Sequence, residues 1–190
     1  MTELPAALGG KDLLCWRLEE KRHAKAWDSG EGALRFGGRW NTRGNRAVYS
    51  SFDPATAILE IAVHIGFRAL ERVPHILTCF RVEDASLVRV LNPTDIPDDN
   101  WLNPASLEPG QQTFGSRLLQ SHSFIALPSA VSRHSWNLLF DPERAAGKYS
   151  LIFQDSHSKE APLLIRPDTA TIIEWLWMIP ACPLMCNLMA

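Results

Sequence analysis

Between Asp12 and Leu18 the apolar Leu14 and Trp16 alternate with Cys15 and Arg17, a period of two that predicts a strand, followed by a charged turn over Glu19 to Lys25. From Asp28 to Gly44 the pattern fails, because Gly30, Gly32, Gly37, Gly38 and Gly44 interrupt it. Each interior glycine costs a helix about 1 kcal/mol relative to alanine, so a loop with short extended pieces is expected there. Arg46 to Ser51 predicts a second strand. Asp53 then offers a capping oxygen and Pro54 a preset φ, so a helix is expected from about Pro54 to Ile65, stopped by Gly66. On that helix Ile58, Ile61, Ala62 and Ile65 form one apolar face, widened by Leu59 and Val63. Thr56, Glu60 and His64 recur at i, i+4 and i+8 as a narrow polar line.

Further along, His75 to Val82 and Leu87 to Leu91 predict paired strands, and Asn92 to Pro109 a proline-rich loop. Thr113 to Gln120 predicts a helix with Phe114, Leu118 and Leu119 on one face, and Phe124 to Val131 and Asn137 to Phe140 two more strands. Single helices interleaved with short strands, without a βαβ repeat, indicate an α+β domain. The stretch from Glu160 to Ala190 changes character and is rich in Pro, Met and Trp, with a helix expected around Asp168 to Met178. The chain therefore divides into one domain over residues 1–159 and a C-terminal extension over residues 160–190.

Composition narrows the class. With 190 residues, 46% hydrophobic and 21% charged, the chain buries roughly 70% of its unfolded surface and needs no disulfide or metal staple. Cys15, Cys79, Cys182 and Cys186 are accordingly read as free thiols, since the C-x3-C pair at the end has no histidine beside it. A net charge of -2 and a pI near 6.3 supply no electrostatic case for nucleic acid. The first eleven residues lack a basic segment followed by an apolar one, which argues for the cytoplasm. The most apolar stretch, Trp175 to Cys186, is too short to span a bilayer and is cut by Pro180 and Pro183, so no membrane anchor is expected.

Candidate chemistry is concentrated in a few places. In Gly37-Gly38-Arg39-Trp40-Asn41, two glycines permit close backbone approach to a ligand and a guanidinium suits bidentate contact with phosphate. The same residues also fit an ordinary surface turn. The context excludes a Walker loop and a dinucleotide fingerprint. Tyr49 ends a strand just before the helix that carries Glu60, and Glu60 on a largely apolar helix is placed to line a cleft. As alternatives, Tyr49 is a half-buried strand aromatic and Glu60 an exposed carboxylate. His64 with Glu60 lacks a third partner, so no metal is expected. Ser129 lies outside a G-x-S-x-G elbow and is read as a ligand-contacting hydroxyl rather than a nucleophile, and Asn137 is a strand amide that must find partners or face a site.

In order, Gly37 to Asn41, Ala47-Val48-Tyr49-Ser50-Ser51, Ala57 to His64, Leu127-Pro128-Ser129-Ala130-Val131 and Trp136 to Pro142 resemble the motifs of RES-domain toxins from bacterial RES-Xre toxin-antitoxin pairs. The resemblance covers roughly Leu14 to Asp155. It implies an ADP-ribosyltransferase-like fold, a split β-sheet around an NAD cleft. Arg39, Tyr49 and Glu60 are its implied catalytic set, with Arg39, Tyr49, Ser129 and Asn137 contacting NAD. Tyr49 is expected to stack on nicotinamide, and Ser129 to orient the ribose or Glu60. The implied activity is cleavage of the nicotinamide-ribose bond by hydrolysis or phosphorolysis, with NAD as substrate and no metal. The rivals are ADP-ribosyl transfer to a protein target and a non-catalytic interaction module. The implied partner is an Xre-like antitoxin, in a homodimer or a toxin-antitoxin hetero-oligomer.

Overall fold

The computed structural model describes residues 12–66, 70, 72–97, 109–132 and 134–157, so the helix expected over Asp168 to Met178 and the extension over residues 160–190 lie outside the described residues. Seven strands, β1 (Leu13–Glu20), β2 (Val48–Ser51), β3 (His75–Val82), β4 (Val88–Val90), β5 (Phe124–Pro128), β6 (Trp136–Phe140) and β7 (Tyr149–His157), form one mixed sheet of order β4-β5-β6-β2-β1-β3-β7. Among the described residues, helices α1 (Glu31–Phe36), α2 (Pro54–Ile65) and α3 (Pro109–Ser121) accompany it. The α+β class holds, and the sheet is split as the resemblance implies. Pairing between β1 and β2 is confined to Trp16 and Ser51, whereas every residue of β2 pairs with β6 and every residue of β1 with β3. The gap between β1 and β2 is where the sheet opens.

Alternation along the strands sorts side chains into two cores. Val48, Phe124, Leu138 and Phe140 point to one face with Cys15, Phe80 and Trp27, and Ala47, Ile125, Leu127 and Leu139 point to the other with Trp40 and Leu119. The sheet curls around the first core until Tyr149 on β7 meets Phe140 and Phe124, at ring-centroid distances of 5.0 and 6.4 Å. Cys15 and Cys79 are free and buried, as expected, and burial raises the pKa of both thiols.

Local signals set α2. The Asp53 carboxylate accepts from the Thr56 amide at 2.8 Å and from its hydroxyl at 2.6 Å, Pro54 opens the helix, and Gly66 closes it at φ 82°. Its packing face departs from expectation. Thr56, Ala57 and Ala62 are the buried positions, while Val63 and Ile65 are nearly half exposed. A helix apolar around most of its circumference does not reveal which arc meets the sheet, and here the arc of small side chains permits the close approach.

Other expectations are corrected. The glycine-rich stretch holds α1, six residues stabilised by Glu31 bonding Arg35 and Arg46 and bounded by Gly30 and Gly37 in left-handed backbone at φ 63° and 73°. So short a helix carries Gly32 at little cost. β1 continues through Glu19 and Glu20, and the charged turn is a 3-10 helix over Lys21–Ala26. β3 and β4 do not pair with each other: β3 lies between β1 and β7, and β4 runs parallel to β5. β5 ends at Pro128 because Ser129 turns the chain, its Oγ accepting from the amides of Val131 and Ser132. β7 occupies a stretch to which the sequence analysis assigned no element, and its solvent-exposed Leu151, Ile152 and Phe153 break the usual alternation.

Candidate active site

A cleft of about 560 Å³ lies over the split, walled by β1, the Gly37 to Trp40 turn, β2, α2 and the β5–β6 hairpin. Arg39, Tyr49, Glu60 and Asn137 all line it, and His64 lines it from the end of α2. Ser129 is buried behind the wall and reaches the cleft through Glu60.

Arg39 and Trp40 are the central residues of a tight turn closed by the Gly38 amide donating to the Asn41 carbonyl at 3.0 Å. Trp40 is buried in the second core, which anchors the turn while Arg39 faces the cleft. Asn41 is fully buried, and its Nδ2 donates to the carbonyls of Ala33, Thr42 and Asn45. Its Oδ1 accepts from the Tyr49 hydroxyl at 2.7 Å, and that hydroxyl accepts from the Trp40 amide at 3.0 Å. Helix α3 braces the other side, with Gln112 donating to the Gly38 carbonyl and the Ser116 hydroxyl accepting from the Thr42 amide. Gly38 is required by contact: a Cβ there would lie 2.5 Å from the Tyr49 hydroxyl and 2.9 Å from Asn41 Oδ1. Burial raises the Tyr49 phenol above its ordinary value, so it stays protonated as a donor.

At the other end of the cleft Glu60 is held by one oxygen. Its Oε1 accepts from Ser129 Oγ at 2.8 Å and from Asn137 Nδ2 at 2.5 Å. Asn137 in turn accepts at Oδ1 from Ser51 Oγ at 2.7 Å. These bonds leave Oε2 for whatever occupies the cleft.

Arg17 is a cleft residue that sequence reasoning did not nominate. Its Nη1 donates to the Tyr49 carbonyl at 2.7 Å, filling the place of a ladder bond that the split removes. Glu19 stands 3.5 Å from its Nε. Burial lowers the Arg17 pKa and raises that of Glu19, and each charge opposes the other's shift. A cation on a strand that otherwise reads as alternating was the available signal. Among the described residues no group of three or more His, Cys, Asp or Glu side chains is placed to hold a metal ion.

The RES domain model matches residues 14–158. The chain belongs to the RES domain family. Among RES relatives, Toxin Res of Pseudomonas putida is 28% identical over 155 residues, covering 80% of this chain and 99% of that protein. The Prs ADP-ribosylating toxin of a Sphingobium species is 32% identical over 139 residues, covering 70% of this chain and 84% of that protein. The crystal structure of the M. tuberculosis MbcT-MbcA toxin-antitoxin complex matches with a TM-score of 0.62 at 18% identity, covering 78% of this chain and 86% of that one. The RES domain here thus has the ADP-ribosyltransferase-like fold expected of it.

Proposed function

We propose that this RES domain is a toxin that consumes NAD by breaking the nicotinamide-ribose bond, with water or inorganic phosphate as acceptor. The observation that carries the reading is the Glu60 carboxylate, fixed at Oε1 by two donors with Oε2 left to a cleft that Arg39 also lines. The bond to be broken joins a cationic ring nitrogen to the ribose, so its electron pair returns to nicotinamide, which leaves neutral without a general acid. Positive charge then develops on the sugar, as in glycoside cleavage, and a fixed carboxylate is the group that stabilises it. The acceptor oxygen bonds to the anomeric carbon and gives up its proton to solvent. Arg39, on a turn braced by Gln112 and by the Tyr49–Asn41 pair, would hold the pyrophosphate, and Arg17 brings a second cation to the same cleft. Tyr49 would meet nicotinamide with its ring while its hydroxyl holds the Arg39 turn.

A second reading, transfer of ADP-ribose to a protein, is favoured by the name of the Sphingobium relative. The MbcT-MbcA complex supports an antitoxin partner, here an Xre-like helical protein that covers the cleft in a toxin-antitoxin hetero-oligomer, the toxin itself self-associating. On this reading the toxin acts in the cytoplasm, and residues 160–190 are an extension beyond the stretch that the RES domain model matches. Purified protein incubated with NAD, with and without phosphate and with lysate, should release nicotinamide; labelled protein appearing only with lysate would favour transfer. Glu60→Gln should lower the rate by about 100-fold or more. Undiminished release by that variant would overturn the catalytic assignment and leave a non-catalytic interaction module as the better reading.

A further inference from the structure

We infer that Ser51 is a positioning residue for Glu60, acting through the Asn137 side chain, an inference that rests on the catalytic reading of Glu60. An asparagine amide has a donor end and an acceptor end of nearly equal size, so its orientation is set by its partners. The Glu60 carboxylate only accepts, so it faces Asn137 Nδ2, with Oε1 at 2.5 Å, and Ser51 Oγ, donating to Oδ1 at 2.7 Å, anchors the amide in that orientation. Reversed, Oδ1 would face the carboxylate, acceptor against acceptor. Ser51 is 2% exposed where it lines the cleft, and removing its hydroxyl takes from Asn137 Oδ1 its protein donor and frees the amide to rotate.

The place of Ser51 in the sheet makes it a rigid origin for this relay. It is the β2 residue that pairs on both sides, with Trp16 of β1 and with Asn137 of β6. Cross-strand partners project on the same face, so the Ser51 and Asn137 side chains meet by register alone. The two halves of the sheet therefore join at the residue that anchors the amide on Glu60. Ser129 holds the same oxygen from the β5–β6 turn, and with both donors in place one carboxylate oxygen is spent on the protein and one is presented to the cleft.

The decisive experiment is a double-mutant cycle on nicotinamide release, read as kcat and KM separately. Ser51→Ala should lower kcat about 10-fold with KM changed less than about 2-fold, and Ser51→Thr, which keeps the hydroxyl, should restore most of it. In an Asn137→Ala background Ser51→Ala should change kcat by less than about 2-fold, because the relay is already cut. Independent, multiplying losses would overturn the inference. The Asn137 side-chain amide signals in NMR provide a readout that needs no turnover. Ser51→Ala should shift and average them, whereas unchanged signals in a folded variant would equally overturn it. If the unsubstituted protein releases no nicotinamide, the proposed function fails, and the NMR comparison still decides whether Ser51 sets the amide.

Discussion

At the scale of single residues, the turn that carries Arg39 depends on Asn41, whose side-chain hydrogen-bonding capacity is fully committed. Asn41 spends both amide hydrogens on three carbonyls and its oxygen on the Tyr49 hydroxyl. Tyr49→Phe tests what that phenol does. It keeps the ring but leaves Asn41 Oδ1 and the Trp40 amide without their partner, and an orphaned buried polar group costs about 1–3 kcal/mol. The expected outcome is a lower melting temperature and a raised KM for NAD as the Arg39 turn loosens, measured by thermal denaturation and steady-state kinetics. If stacking were the residue's whole contribution, both values would stay at those of the parent. Arg39, Tyr49, Glu60, Ser129 and Asn137 were each nameable from residue type and local order, and Arg17, Asn41 and Ser51 were not given roles. Arg17 and Ser51 act through distant partners, Tyr49 and Asn137, that no local pattern encodes, and Asn41 acts by folding its own loop around its side chain.

At the scale of elements, legibility follows how local the determinants are. Both bounds of α2 were read correctly because a capping aspartate, a first-turn proline and a terminal glycine all lie within or next to the helix. Its buried arc was misread, because the sheet beneath it, not the helix, selects Thr56, Ala57 and Ala62 for contact. Helix α3 runs from Pro109 to Ser121, longer than its apolar pattern, and its role lies in Gly115. A Cβ on Gly115 would stand 2.1 Å from the Trp40 carbonyl oxygen, a backbone atom with little room to yield. Gly115→Ala should therefore push α3 from the Arg39 turn at a cost of about 1–3 kcal/mol. That corresponds to a melting temperature lower by between about 2 and 12 °C in a domain of this size, with weaker NAD binding in calorimetry. Better helix propensity at that position would raise stability only if the contact with Trp40 were absent.

At the scale of the whole molecule, burial of titratable groups sets an alkaline limit. Cys15, Cys79, Tyr49 and Tyr149 all have pKa values raised by burial, with the Asp28 carboxylate adding to the shift of Tyr149. In the unfolded chain thiols lose their protons near about 8.5 and phenols near about 10. Above those values the unfolded state binds fewer protons than the folded one, so stability falls as pH rises. Melting temperatures should hold steady between about pH 7 and 8 and decline from about pH 9 upward; a flat profile from about pH 7 to 11 would contradict the burial of these four groups. No helix among the described residues is long and apolar enough to cross a membrane. What the sequence by itself determined was the class and the succession of most elements, because periodicity and caps are local, while the resemblance to RES-domain toxins is what joined the glycine-rich turn and the helical carboxylate into one site. The tertiary structure alone decided that pairing of β1 with β2 is confined to Trp16 and Ser51 and that Arg17 fills the gap. It also decided that the glycine at position 38 makes room for a tyrosine hydroxyl. Each of these is a contact between residues far apart in the chain, fixed by the geometry of packing rather than by any neighbour in sequence.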